Sequence, residues 1–441
     1  MKKSIILGFA LLLATAVFGQ TKKWTLQECV QYAVDNNITI KQRLLDLDQA
    51  DLDRSDAVGN FLPTVNASFG VSERTGLSFD PLTNQAATET FLSANGGLNV
   101  GYNLFDGLQN VRRIQRAKLS AIAAEYNIAK IKDDISLLVA NGFLDIILNK
   151  ENLKTVEAQN LVTLEQIERT IELVEGGVLP RGDLLEIQST AAIEQQRIVA
   201  ARNSVILSRV SLAQLMAIKD YQGFDIADGA YSVFGEELMD EPIGAIIESA
   251  KGNRFEIKIA EQNLELAEKD VQITKGSFLP SLRAFFGYNT AFADSNPLPF
   301  NEQIYINDGI NYGLSLNVPI LNGFSVKNNV KRGQLNVERN RISLEQAKLD
   351  LESTIYQAYM GAKAAKQSYE AALVALNSQE LAYAYAKDRY DVGLTNAFDF
   401  SQSKLRYDNA QIELSRSKYD YIFRIKVLEL YFGVPATELK F

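Results

Sequence analysis

The 441-residue chain has no histidine and one cysteine, Cys29. Without histidine it lacks the commonest general base at neutral pH and the commonest imidazole metal ligand. A lone cysteine cannot close an internal disulfide, so Cys29 reads as a small buried residue on a helix face. Methionine is scarce, at four residues, which gives no basis for a soft-metal relay. Positive charge is also short: 45 Lys and Arg stand against 54 Asp and Glu, a net charge of −9. That argues against a nucleic-acid partner, which requires a clustered basic surface. No nucleophile–base or metal constellation is visible. The expectation is a chain that is not an enzyme and uses no cofactor and no metal.

Long apolar runs are missing too, except at the start. Met1-Lys2-Lys3 is basic, Ile5 to Phe18 is almost wholly apolar, and Gly19-Gln20 leads into polar Thr21-Lys22-Lys23. This pattern is expected to be a secretory signal peptide spanning 1–19, too short for a spanning anchor. No cysteine near the cut offers a site for a lipid anchor. No later stretch reaches 18 consecutive apolar residues, so no transmembrane helix is expected in the exported chain.

Proline is the next scarcity. The nine prolines fall at 63, 81, 180, 242, 280, 297, 299, 319 and 435. Proline is what a helix interior excludes, and the proline-free stretches Gly107–Glu175 and Phe324–Asp391 are rich in strong helix formers. A seam at helical spacing runs through Leu344, Ala347, Leu351, Ile355, Ala358, Ala362, Ala365, Tyr369 and Ala372, narrow enough for close helix–helix approach. Each stretch spans about 100 Å as one helix. Shorter helices are expected over Thr25–Val58, Asp183–Ala217, Pro242–Lys275 and Asp399–Phe432. Thr25 with Glu28 forms a capping box, and Asp183 with Glu186 a similar start.

What is present is a duplication. Gly59-Asn60-Phe61-Leu62-Pro63 recurs as Gly276-Ser277-Phe278-Leu279-Pro280. Leu104-Phe105-Asp106-Gly107 recurs as Ile320-Leu321-Asn322-Gly323, and Gly176-Gly177-Val178 with Asp183 recurs as Val392-Gly393-Leu394 with Asp399. Gly323 against Gly107, Gly393 against Gly177 and Asp399 against Asp183 share one register of 216 residues. The mature chain therefore divides into repeats at 20–230 and 231–441 with the same architecture. Each is expected to pair one long helix with a stacked pair of short ones.

Each repeat also carries period-two segments. In Thr64–Ser72 and Leu98–Leu104, and again in Leu282–Asn289 and Tyr312–Ile320, apolar residues alternate with small polar ones. Such alternation fits either the wall of a membrane barrel or a half-buried soluble sheet; an exported chain without a membrane helix favours the barrel. The hairpins fall at 62–105 and 279–321, around polar loops at 73–90 and 293–308. Four strands cannot close a barrel, and open edges are forbidden in lipid. Closure would come from further copies of the chain.

The residues carry a family resemblance over essentially the whole mature chain. The chain resembles the TolC-type outer-membrane efflux proteins. The resemblance rests on Trp24-Thr25-Leu26-Gln27-Glu28-Cys29-Val30 through Asn36-Asn37, and on the Phe-Leu-Pro turns at 61–63 and 278–280. It rests also on the strand-to-helix turns named above, on Arg389-Tyr390-Asp391-Val392-Gly393-Leu394 with Asp399, and on Glu175-Gly176-Gly177-Val178 with Asp183. It implies an α+β fold: antiparallel helical hairpins forming an α-helical barrel, plus four strands per chain toward a 12-stranded transmembrane β-barrel of a homotrimer. It implies a passive gated duct in the outer membrane with its helical part in the periplasm. The duct would dock onto a periplasmic adaptor joined to an inner-membrane pump, for efflux or type I secretion.

The resemblance also assigns residues. Val392, Gly393 and Leu394 match the family's adaptor-docking turn, whereas in the first turn only Gly177 matches and Gly176 and Val178 depart. Tyr390, Asp399 and Asp183 fall at the periplasmic gate, where copies of the two aspartates would ring a narrow, cation-favouring mouth. Thr395 stands where some members have an arginine that ties the entrance shut. The aspartates can equally be helix N-caps, and the two glycines left-handed turn residues. A stand-alone porin and a periplasmic coiled-coil scaffold are the alternative readings. The exported cargo is open.

Overall fold

The computed structural model describes residues 23–79, 86–229 and 236–434. The expected signal peptide and part of the first polar loop, Asn84 included, lie outside the described residues. In chain order the elements are β1 (Lys23–Trp24), α1 (Leu26–Asn36), α2 (Ile38–Gly59), β2 (Thr64–Phe79), β3 (Ala86–Phe105), α3 (Gln109–Glu175) and α4 (Arg181–Leu215). The second half follows with β4 (Asp225–Ile226), α5 (Ile243–Asn253), α6 (Phe255–Gly276), β5 (Ser281–Ala293), α7 (Phe300–Ile306), β6 (Gly309–Asn317), α8 (Ser325–Asp391) and α9 (Ala397–Phe432). The order short–short–strand–strand–long–short is the same in both halves, which is the duplication in structural form. The fold is α+β.

The long helices match the proline-free stretches. The Thr25 hydroxyl accepts from Glu28 N at 3.3 Å while Thr25 N donates to the Glu28 carboxylate at 2.9 Å, the expected capping box. Two of the shorter helices are broken where the sequence analysis expects continuity. Asn37 leaves helical geometry at φ −58°, ψ 133°, and Arg254 does so at φ −70°, ψ 134°. Neither is Gly or Pro, so propensity gives no warning. Tertiary partners hold both breaks. The Asn37 amide donates to Leu215 O at 2.7 Å and its oxygen accepts from Thr39 N at 2.8 Å, restarting the helix. Arg254 is buried and pairs with Glu256 at 3.0 Å and Asp133 at 3.3 Å.

The compact units are not the two repeats. Among the described residues, one unit comprises 23–44, 126–229, 236–258 and 346–434, the other 45–79, 86–125 and 259–345; each takes a share from both halves of the sequence. In the first unit, Cys29, Val30, Ala33, Val139, Phe143, Ile146, Leu212, Met216, Phe224 and Ile226 form the main core. Burying each of the larger side chains contributes about 1.5–3 kcal/mol. Trp24 in β1 packs edge-on against Tyr32 at 5.1 Å, and β1 pairs in parallel with β4. Lys150 bridges Asp225 at 2.9 Å and Asp228 at 2.8 Å beside that pair. In α8 the seam is buried at Leu344, Leu351, Ile355, Ala362 and Ala365, while Leu349, Tyr356, Met360, Val374, Leu381 and Tyr385 remain exposed.

The second unit holds the sheet, with strand order β2-β3-β5-β6, all antiparallel. The first hairpin is longer than the sequence suggests. Pairing continues to Phe79↔Ala86, so most of the expected 73–90 loop is strand, because its alternating Thr and apolar residues pair as well as the expected segments do. The 293–308 loop contains α7, and β6 ends at Asn317, before Pro319 can remove a ladder donor. Both strand-to-helix turns place two successive residues in the left-handed region, Gly107 and Leu108 in one, Gly323 and Phe324 in the other. A Cβ on Gly107 would collide with the carbonyl oxygen of Gly276, so the backbones meet there through glycine alone.

Candidate functional site

The two glycine turns lie in the first unit and touch each other. Turn one ends α3 at Glu175 with Gly177 at φ +74°. Val178 N and Leu179 N both donate to Leu173 O, at 2.9 and 3.2 Å, in a Schellman-like closure. Turn two ends α8 at Asp391 with Gly393 at φ +72°, and Leu394 N donates to Arg389 O at 2.8 Å. A Cβ on Gly393 would stand 3.3 Å from Val178 Cγ1, whereas one on Gly177 would meet nothing within 4 Å. Val178, Val392 and Leu394 are exposed at 57%, 66% and 71%. The apolar side chains at the turns thus point to solvent around a close contact between the two turns.

Neither aspartate is an N-cap. The cap of α4 is Pro180, which makes no side-chain cap bond. The cap of α9 is Asn396, whose oxygen accepts from Asp399 N at 2.8 Å. Both aspartates instead occupy the third helical position, where a carboxylate still favours the positive end of the helix dipole. Asp399 is exposed, with Thr395 Oγ1 3.5 Å from its Oδ2. Asp183 is half-buried, and its Oδ2 is enclosed with no hydrogen-bond donor among the described residues.

Tyr390 is fully buried. Its ring stacks on Phe400 at 4.9 Å, and its hydroxyl lies 3.1 Å from Thr170 Oγ1. Leu179, Ile187 and Ala397 complete this small core beneath the turns. Burial pushes the Tyr390 hydroxyl above its ordinary pKa; the Thr170 hydrogen bond opposes the shift, and Asp183 and Asp391 add to it. Arg169 Nε approaches Asp391 at 3.4 Å from α3. The structure therefore brings Tyr390 and Asp183 into one cluster, while Asp399 faces solvent.

Farther along α4 and α9 lies a buried charged cluster absent from the sequence-level candidates. Lys404 Nζ reaches Glu194 at 2.8 Å and Asp408 at 2.9 Å, with all three side chains at most 7% exposed. Thr163 donates to Glu194 Oε1 at 2.9 Å, and Asn160 approaches Oε2 at 3.3 Å. Burial raises the Asp408 pKa; the Lys404 charge opposes that and Glu194 reinforces it. Tyr383 and Tyr407 stack in parallel at 5.2 Å alongside, where a groove of about 600 Å³ opens. Burial, with Asp408 next in weight, pushes Tyr383 up to about 12. One signal for this cluster was available: Ala397, Phe400, Lys404 and Asp408 continue a helical seam register, so two charges stand where apolar residues belong.

In the second unit the sheet presents two different faces. One carries Val65, Phe69, Val71, Tyr312, Leu314 and Leu316, all 60–88% exposed. The other carries Asn66, Asn95, Asn99, Asn103, Asn289 and Asn311 among glycines and serines. Among the described residues no helix is long and apolar enough to cross a membrane.

Comparison with known proteins gives the same picture. The family model described as "Outer membrane efflux protein" matches residues 29–217 and 246–433. The chain is 23% identical to the outer membrane protein TolC of Vibrio cholerae over 363 residues, 81% of this chain and 80% of that protein. Its structure is similar to the Campylobacter jejuni CmeC outer membrane channel, with a TM-score of 0.77 at 18% identity over 92% of this chain and 85% of that one. It is similar also to the Vibrio cholerae outer membrane protein VceC, with a TM-score of 0.74 at 17% identity over 92% of this chain and 96% of that one. The two matched segments together cover most of both repeats, and the chain belongs to the outer membrane efflux protein family, whose members are channels of the outer membrane with a periplasmic helical part.

Proposed function

We propose that three copies of this chain form one passive efflux duct. Their sheets close a 12-stranded barrel and their helices a periplasmic tunnel, with the glycine turns at the tunnel's mouth. The observation that carries the reading is the sheet. It has an apolar face, a polar face, and two edge strands, β2 and β6, unpaired in the single chain. In lipid every backbone donor and acceptor needs a partner, so β2 of one copy pairing with β6 of the next is the arrangement that satisfies both. The smallest even barrel has eight strands; the resemblance to efflux channels favours twelve over eight. The exposed apolar residues of α8 support the same assembly, since a rod that leaves Tyr356, Val374 and Leu381 bare needs neighbours.

In this reading the chain breaks no bond. A pump in the inner membrane supplies the energy, and a periplasmic adaptor seats on Val392, Gly393 and Leu394, with Gly176, Gly177 and Val178 beside them. Tyr390, Asp183 and Asp399 form the gate. A stand-alone porin gives the 67-residue helices α3 and α8 no task. A periplasmic scaffold gives the apolar sheet face none.

The test is native mass measurement in detergent, together with cross-linking of membranes. Three copies are expected. A folded monomer stable in detergent overturns the assembly.

A further inference from the structure

The inward and outward sides of the sheet are sorted by the pleat, and the register shows what covers the polar side. One level is Asn66↔Asn99, Asn99↔Gly287, Gly287↔Asn311. The next is Ser68↔Gly97, Gly97↔Asn289, Asn289↔Gly309. From β3 to β6 asparagine and glycine alternate, in opposite phase at the two levels. Each amide lies over the glycine beside it: a Cβ on Gly97 would stand 2.5 Å from Asn289 Oδ1, and one on Gly70 2.9 Å from Asn95 Oδ1. The glycines are the space the carboxamides occupy. At these two levels the face presents only small, neutral groups.

One residue breaks the pattern. Over 64–72, 93–105, 281–293 and 309–317, the chain has no Asp, Glu or Lys, and its one charged residue is Arg283. Arg283 pairs with Asn103 on one side and Ser315 on the other, on the amide face at the helix-proximal end of the sheet. Its guanidinium lies over Gly101, where a Cβ would collide with it. The side chain is exposed, and no carboxylate lies within ion-pair distance of it among the described residues. Asp106, just past β3, is already engaged, accepting from Asn110 N at 2.8 Å and standing 3.9 Å from Arg113. Other copies of these spans bring no acid either, because the spans contain none. Two residues along the same strand and on the same face, the Phe285 ring lies over Gly313, 3.0 Å from where its Cβ would be.

We propose that Arg283 is an anion site in the lumen wall, engaging the acidic group of solutes that carry an apolar ring or chain, with Phe285 receiving the apolar part. The proposal rests on the reading that the sheets close around a lumen, which puts three guanidiniums at one level. A guanidinium offers five N–H donors in a planar fork suited to carboxylate, phosphate or sulfonate. Within these spans the wall carries no other charge, the charged positions 74 and 89 on the same face lying farther along the first hairpin, so its field is uncompensated at this level, and rings of charged side chains set which ions a pore favours. The barrel therefore prefers organic anions at this level, in contrast to the acidic residues at the glycine turns.

The test uses the full-length assembled protein in planar bilayers, with naphthalene-1,3,6-trisulfonate and inorganic sulfate as probes. Trisulfonate is expected to block wild-type single-channel current, and sulfate to block it more weakly because it has nothing for Phe285. Arg283→Gln should still form conducting pores and raise the half-blocking trisulfonate concentration by about tenfold, the scale of a lost charge-assisted contact. Arg283→Lys should fall between, and Phe285→Ala should bring the trisulfonate block down toward that of sulfate. Arg54→Gln, which removes an exposed helix-surface charge paired only with Asp51 among the described residues, should leave the block unchanged. Wild-type protein that forms no conducting pore removes the lumen reading itself. Conducting Arg283→Gln channels whose half-blocking concentration stays within about twofold of wild type overturn the anion site.

Discussion

The turn at 176–180 and the turn at 392–396 reverse two helices with the same backbone and different side chains. Gly177 and Gly393 sit at φ +74° and +72°, and both turns return the chain, with three residues between, into a helix whose third residue is aspartate. The chemistry around them diverges. Turn one relies on Pro180, which presets φ but donates nothing. Turn two has an Asn396 side-chain cap. Below turn two stand Tyr383, Tyr390 and Tyr407, where the first repeat has Ile167, Val174 and Ala191. Lys404 and Asp408 correspond to Gln188 and Ala192, so the second repeat supplies two charges that the first lacks at the matching positions, and the first supplies their partner Glu194. A duplicated backbone has been kept for its geometry, while the side chains at matching positions have diverged, with the tyrosines and Lys404 on the second copy and Glu194, Thr163 and Thr170 on the first.

The sharpest way to break this comparison is bulk at the glycines. Gly393→Trp is expected to abolish export while leaving assembly intact, because the added side chain meets Val178 and covers the exposed Val392–Leu394 surface. Gly177→Trp, which enters open space, should retain partial export. Alanine at either position should cost about 1–2 kcal/mol for the left-handed conformation alone. Export assays paired with trimer content on a gel separate the cases. Equal loss in both tryptophan variants would make the turns equivalent and dissolve the asymmetry.

A smaller effect concerns the caps. Asn396→Ala should lower stability by about 0.5–2 kcal/mol through the lost bond to Asp399 N. Pro180→Ala has no side-chain bond to lose and should change stability by less. Denaturant melts of the two variants measure the difference, and equal destabilisation would show that the Asn396 bond adds nothing.

The smallest effect is a pH dependence confined to the second repeat. Tyr383 is held up to about 12, chiefly by burial, against about 10 in an unfolded chain. Its stabilisation is fully present below about pH 10 and is lost as pH rises toward 12, because the unfolded chain then binds fewer protons than the folded one. Ultraviolet titration of tyrosinate in wild type and Tyr383→Phe should differ by one late-titrating group. A group that ionises near 10 would show that solvent reaches the ring pair Tyr383–Tyr407.

Much of this architecture is legible in the residues. The glycine turns, the long helices, the seam of α8 and the two faces of the strands all follow from spacing over a few residues, since period, proline and glycine act locally. The strands of 64–72 and 98–104 were readable because alternation there is strict. Their extension to Phe79 and Ala86 was not, because it runs through a polar segment, Ser72-Glu73-Arg74-Thr75, that reads equally well as loop.

The remainder was decided by partners far away in the chain. The sequence by itself determined the duplication, the element types and the left-handed glycines, because each is set by backbone sterics or by a neighbour within a turn or a hairpin. Tertiary structure decided the breaks at Asn37 and Arg254, the burial of Tyr390 against Thr170, and the assembly of Lys404, Asp408 and Glu194. The Lys404–Glu194 contact joins residues 210 positions apart, and a buried charge is tolerated only where such a partner arrives. No local pattern encodes that meeting. It exists only once α4 and α9 lie side by side.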